Sequence, residues 1–208
     1  DGHARVRKAA VETLRADIPD IPRLALKWIV EDNRGTPRAQ NTLLGEVVDD
    51  VPRSTLELII GTKIEDAREI HRALLVIRGH HDCQDNALKL LQHVLNERFQ
   101  QTLDIALTAL EPLCAQGVIP TIRAGIRTRD DRYVANACEA LHSIPHRTLT
   151  QALGELIQDA FMPSRRTTVS GMENLDTVLK SLAMRHDAWL QECAGAALLI
   201  RRENCSRG

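Results

Sequence analysis

The sequence predicts an all-α fold, a stack of about twelve helices forming an irregular α–α superhelix, and three observations predict it. First, one pattern recurs: Val6, Ala9, Ala10 and Leu14 return as Val134, Ala137, Cys138 and Leu141, then as Leu190, Cys193, Ala194 and Leu198. An acidic residue stands a few places ahead of each copy: Asp1, Asp131 and Asp187. Such offsets put the apolar residues on one helical face behind a capping acid, and a helix written several times marks a repeat protein. Second, the periodicity is helical throughout, and no segment keeps up the alternation of a half-buried strand. Third, 43% of the 208 residues are hydrophobic but only 2% are aromatic. The core must therefore be built from Leu, Ala, Ile and Val, which let helix axes approach closely.

In chain order, helices are expected over 3–15, 20–32, 37–49, 52–61, 63–79, 84–95, 97–113, 115–127, 131–143, 146–161, 173–184 and 187–202. The first carries the first copy of the stripe. Pro22 falls in the first turn of the second, Thr36-Pro37 reads as N-cap and N1 of the third, and Pro52 opens the fourth in the same way. Ala87, Leu88, Leu90, Leu91, Val94 and Leu95 form the stripe of 84–95, and Phe99, Leu103, Ala106, Leu107 and Leu110 that of 97–113. With only Asn96 and Glu97 between them, the two stripes are expected to fold back as an antiparallel hairpin. Pro112 helps to end the second of these helices. Pro145 separates 131–143 from 146–161, because the residue before a proline is pushed out of helical geometry. Asp187 precedes the last stripe.

Comparable stripes are anchored at Val6, Ala39, Ala87, Val134 and Leu190, so successive spacings are 33, 48, 47 and 56 residues. These bracket the length of two-helix repeats, unevenly. A single helical-repeat domain over 1–208 is expected, interrupted by a mobile loop at 162–172, where Pro, Ser, Thr and Gly accumulate. The chain opens on Asp1-Gly2-His3, with no initiator Met and on what reads as the second helix of a repeat. It is expected to be a fragment of a longer protein.

The 27 basic and 28 acidic residues leave a net charge of −1, which argues against an obligate polyanion binder. Five cysteines lie far apart, at 83, 114, 138, 193 and 205, with no CxxC pair. Cys138 and Cys193 occupy apolar repeat positions, as small hydrophobes do. A reduced, cytoplasmic setting is expected, including the cytoplasmic face of a membrane. No apolar run approaches the ~18 residues that span a bilayer.

The chain carries no Walker loop, dinucleotide glycine pattern or paired-carboxylate signature, so no catalytic, cofactor or metal site is assigned. His80-His81-Asp82-Cys83 holds three metal-capable residue types. Consecutive side chains diverge, however, and the stretch reads as a polar turn in which Asp82 caps the next helix. His142 and His146, flanking Pro145, read as exposed loop histidines. Arg165-Arg166-Thr167-Thr168-Val169 resembles a basophilic kinase site with Thr168 as acceptor. Arg123, Arg127, Arg129 and Arg132, with Arg147, Arg165 and Arg166, give a basic tint. Arg123 and Arg127 share a helical face, but Asp130, Asp131 and Glu139 are interspersed, so a solvated, internally paired face is expected. Trp28 and Trp189 read as packing residues, with Trp189 wedged between repeats.

The form Asp-x-x-x-x-Val-Arg-x-x-Ala-Val-x-x-Leu, Asp1 to Leu14, resembles the second helix of a HEAT repeat, with Arg7 at the usual basic position. Ala135 and Gln191 replace that arginine in later copies, which interrupts the implied Asp–Arg ladder. Ile70-His71-Arg72-Ala73-Leu74, the run Asp85 to Leu95, and Arg185 to Ala194 are similar to HEAT regions of particular bacterial proteins. Those proteins join a transporter-like membrane domain, of ADP/ATP translocase or major facilitator type, to a cyclic-nucleotide-binding domain. The resemblance implies a non-catalytic scaffold that binds a protein partner or couples neighbouring domains of the same chain, tethered through a membrane domain not present here.

Two other readings compete. A nucleic-acid-binding repeat protein, including a DNA glycosylase-like enzyme, needs a basic channel and aromatic side chains for bases. A lyase-like or chaperone-like HEAT protein would handle a bulky cofactor.

Overall fold

The computed structural model describes residues 9, 12–13, 20–31, 37–80, 86–162, 174–185 and 187–206, with the backbone alone at 21, 22, 25, 31 and 202–206. The all-α expectation holds: the described residues form helices and short turns, with no strand among them. The helices are α1 (Ile21–Leu26, continued by a π-helical turn, Lys27–Glu31), α2 (Pro37–Val47), α3 (Arg53–Gly79), α4 (Asn86–Leu110), α5 (Val118–Thr128), α6 (Asp131–His142), α7 (Arg147–Phe161), α8 (Leu175–Ala183) and α9 (Ala188–Ser206). The helix expected over 3–15, and with it Asp1, Val6, Arg7, Ala10 and Leu14 of the first copy, lies largely outside the described residues.

Fewer helices result than the twelve expected, because two expected breaks do not occur. The segments 52–61 and 63–79 are one helix, α3. Ile59, Ile60, Lys63, Ile64, Ala67, Ile70, Leu74 and Ile77 are all buried at helical spacing. Gly61 interrupts that run at a propensity cost of about 1 kcal/mol, which burial of several large side chains outweighs. The expected hairpin at Asn96-Glu97 is likewise a continuous helix, α4. Leu91, Leu95, Phe99, Thr102, Leu103 and Ala106 carry one buried stripe straight through the position. Asn96 is accommodated there: its Nδ2 donates to the Gln92 carbonyl at 2.7 Å and its Oδ1 accepts from Arg78 Nη2 at 2.8 Å.

Most helix ends follow their local chemistry. Asp20 Oδ1 accepts from the Arg23 N–H at 3.1 Å to cap α1, and Pro22 sits in the first turn as expected. Pro37 is the first residue of α2, while Thr36 lies outside the described residues. Pro112 falls in the 3-10 turn that closes α4. The start of α5 is at 118 rather than 115, because Gly117 adopts φ +88°, a left-handed geometry that ends the preceding turn. Asp130, not Asp131, caps α6, accepting from the Arg132 N–H at 2.9 Å. Asp187 caps α9 through the Leu190 N–H at 3.2 Å, as its place ahead of the stripe predicts.

The chain divides into two compact units, Asp1–Glu65 with Gln101–Arg165, and Asp66–Gln100 with Arg166–Gly208, so that α3 and α4 contribute to both. In the first unit, α5 packs on α6 and α6 on α7. Val134, Ala137, Cys138 and Leu141 are all buried, as the repeated stripe predicts. A Cβ added at Gly125 would stand 2.8 Å from the Tyr133 carbonyl oxygen, so the absence of a side chain sets how closely α5 and α6 approach. In the second unit, α8 packs on α9, with Leu190, Cys193, Ala194 and Ala197 in the core. Leu198 of the expected stripe is only half-buried, Ala197 taking the inward position. Two other stripe positions turn out differently. Ala39 is exposed, α2 burying Gln40, Leu44 and Val47 instead, and Leu90 is 46% exposed.

Candidate functional site

In the first unit, chemistry-bearing side chains meet at a polar node joining α2, α4 and α5. Arg123, on α5, donates through Nη2 to Thr108 Oγ1 at 2.5 Å and reaches the Asp104 carbonyl at 3.4 Å. Thr108, on α4, donates in turn to Asn41 Oδ1 of α2 at 2.6 Å. Two carboxylates balance the guanidinium, Asp104 Oδ1 at 3.8 Å from Nε and Glu111 Oε2 at 3.7 Å from Nη1. The buried Nε itself makes no hydrogen bond, its carboxylate being too distant. Burial raises the Asp104 carboxyl above the usual carboxylate range, against the opposing pull of Arg123 and, more weakly, Arg127. The node thus has its guanidinium committed to helix-to-helix ties. Nearby, Gln40 is almost fully buried; its Nε2 donates to the Trp28 carbonyl of the π-helical turn at 2.9 Å, and its Oε1 has no partner.

A second cluster ties α3 to α7. His146 is hydrogen-bonded through Nε2 to Arg53 Nη2, and its Nδ1 lies 3.4 Å from Glu57 Oε1, to which Arg53 Nε also donates at 3.2 Å. This corrects the expectation of an exposed loop histidine. The His146 side chain is only 15% exposed, because the turn after Pro145 directs it against the first turns of α3. His142 does end α6 on the surface, with its ring over Gly154 of α7. The second unit has its own ties. Asp187 pairs with Arg98 at 2.8 Å while capping α9, Arg185 pairs with Glu69, and Arg201 with Asp176 at 3.2 Å.

The remaining candidates fall apart from one another. His80, just past the end of α3, is half-buried and its Nδ1 lies 3.1 Å from the Val76 carbonyl in the last turn of that helix. His81, Asp82 and Cys83 lie outside the described residues, as do Arg165, Arg166 and Thr168. Arg123 is internally paired, as expected, but Arg127, Arg129 and Arg132 are exposed with no hydrogen bond or ion pair from their side chains to other described residues. The tryptophans are only half packed. Trp28 is 49% and Trp189 50% exposed. The buried thiols of Cys138 and Cys193, raised by desolvation above their ordinary range, behave as the small hydrophobes the stripe predicts.

Sequence reasoning missed both polar clusters. The intrahelical halves were visible as Arg53–Glu57 and Asp104–Thr108, four residues apart, but pairing across helices has no local signal. Among the described residues no group of three or more His, Cys, Asp or Glu side chains could hold a metal ion, and no helix is long and apolar enough to cross a membrane. Comparison with protein families, with curated proteins and with solved structures finds no match.

Proposed function

We propose that the chain is a non-catalytic, HEAT-like helical-repeat scaffold that binds a protein partner or couples neighbouring domains. The observation that carries this reading is the set of exposed apolar side chains on α9 and at the turn before it. Trp189 is 50%, Leu199 62% and Ile200 37% exposed along this one helix. Met184, 83% exposed, stands at the turn leading into α9. A tryptophan left half in water is the kind of anchor that protein interfaces bury. The chemistry-bearing side chains described above support the same reading, because they hold helices together. The resemblance to HEAT regions beside transporter-like membrane domains narrows the proposal further, to relaying the state of a nucleotide-sensing domain on the cytoplasmic side. The wide spacing of the five cysteines, with no CxxC pair, suits that compartment.

Cross-linking of the full chain with mapping of the linked peptides tests the scaffold. Contacts are expected to fall on α9 and to be lost in Trp189→Ser/Leu199→Ser, where removal of an anchor costs about 2 kcal/mol of binding. Contacts that persist in that variant, or substrate turnover without a partner, would overturn the reading.

A further inference from the structure

The corner between α5 and α6 collects three exposed arginines. Arg127 is in the last turn of α5, Arg129 in the linker and Arg132 in the first turn of α6, all exposed and, among the described residues, without a hydrogen bond or ion pair from their guanidinium groups. Tyr133, 56% exposed, stands beside them. Most of the carboxylates that could satisfy them are committed elsewhere. Asp104 and Glu111 face Arg123, although Asp104 also feels Arg127, and Asp130 is spent on the Arg132 backbone N–H. Asp131, exposed at the corner like Asp130, makes no such bond.

The platform is well held. Only Arg129 and Asp130 link the two helices, and the Arg129 N–H bonds the Ile126 carbonyl at 3.3 Å. Thr128 Oγ1 donates to the Gly125 carbonyl at 2.7 Å, and Gly125 sits against the Tyr133 backbone. Arg129 itself has φ +54°, a conformation that glycine or asparagine adopts at lower cost.

We propose that this corner docks a segment of a protein partner bearing spaced carboxylates, one for each guanidinium, with Tyr133 lying against the intervening chain. Guanidinium groups match carboxylates in planar, two-point geometry. A phosphate would favour an open helix N-terminus, and here the Asp130 side chain closes it. A dense polyanion such as nucleic acid would meet Asp130 and Asp131 among the arginines, in a chain of net charge −1. The inference rests on the scaffold reading but concerns a different surface from α9.

Fluorescence anisotropy of the full chain with a labelled peptide of glutamates separated by Gly-Ser pairs tests it. Saturable binding is expected, weakening as salt is raised. It should fall about tenfold or more in Arg127→Gln/Arg129→Gln/Arg132→Gln at unchanged helix content, and tighten in Asp131→Asn, which removes the local repulsion. Should the triple variant lose helix content, the Asp131→Asn and salt responses of the folded chain decide alone. No saturable binding, equal binding by the triple variant, no tightening in Asp131→Asn, or displacement of the peptide by a more tightly bound DNA oligonucleotide would each overturn the proposal. The α9 cross-links are expected to survive the triple variant, so failure at this corner and failure of the scaffold reading give different results.

Discussion

At the scale of single residues, the approach of α5 to α6 depends on a side chain that is not there. Adding a Cβ at Gly125 would bring it 2.8 Å from the Tyr133 carbonyl oxygen and 3.2 Å from the Ala137 Cβ, a clash with backbone that only a shift of α6 relieves. Gly125→Ala is therefore expected to cost about 1–3 kcal/mol in urea unfolding. Gly195 in α9 is the opposite case: an added Cβ there meets nothing within 4 Å. Gly195→Ala should stabilise by about 0.5–1 kcal/mol through helix propensity. Equal effects of the two substitutions would show that the α5–α6 approach is not tight.

The Arg123 node gives a pH-dependent test at the same scale. Because burial raises the Asp104 carboxyl in the folded state, the folded chain holds that proton more tightly than the unfolded chain does. The group's contribution is complete below the unfolded carboxylate value, about 4, and is lost as pH rises through the raised folded value. Asp104→Asn, which does not titrate, should therefore gain stability relative to the parent between acid and neutral pH. Arg123→Met removes the guanidinium that holds the carboxyl down and the donor to Thr108. It should cost about 1–3 kcal/mol at neutral pH and less in acid. A deficit for Arg123→Met that grew on acidification would contradict the assignment. None of this was legible in the sequence, which placed Arg123 on a paired face but could not say that its partners come from α4 and the turn after it.

At the scale of elements, the reading succeeded where a stripe had a chemical boundary and failed where a boundary was inferred from polarity alone. Pro22, Pro37, Pro112, Pro145 and Asp187 each mark a helix end through missing donors, fixed φ or a capping oxygen, and each falls at or near one. Asn96 and Glu97 have no such property. Asparagine is a mild cost inside a helix, and the buried stripe from Leu91 to Ala106 outweighs it. Asn96→Pro separates the two readings: a two-residue turn would tolerate proline, whereas the interior of α4 would lose a backbone bond and clash, at about 3 kcal/mol or more. Hydrogen exchange of the unsubstituted chain provides an independent check. The amides around Asn96 should be as protected as those one turn to either side, and fast exchange confined to them would restore the hairpin.

At the scale of the whole molecule, the two units share α3 and α4, and the unit boundary crosses both helices between residues 65 and 66 and between 100 and 101. The sequence did not suggest this sharing, since each long helix was expected as two short ones. Unfolding one unit alone would require both helices to end in mid-course. Each new end would release up to four backbone N–H or C=O groups from their partners, with no capping side chain selected for the position. That penalty favours a single cooperative transition over stepwise loss. Each unit contains one of the chain's two tryptophans, Trp28 in the first and Trp189 in the second, both about half exposed. Trp28→Phe leaves a reporter in the second unit and Trp189→Phe one in the first. Fluorescence melts of these variants should coincide with each other and with the loss of helical circular dichroism, once the small effect of each substitution on stability is allowed for. Two separated transitions, with one tryptophan reporting before the other, would show that α3 and α4 break at the boundary and that the units fold independently.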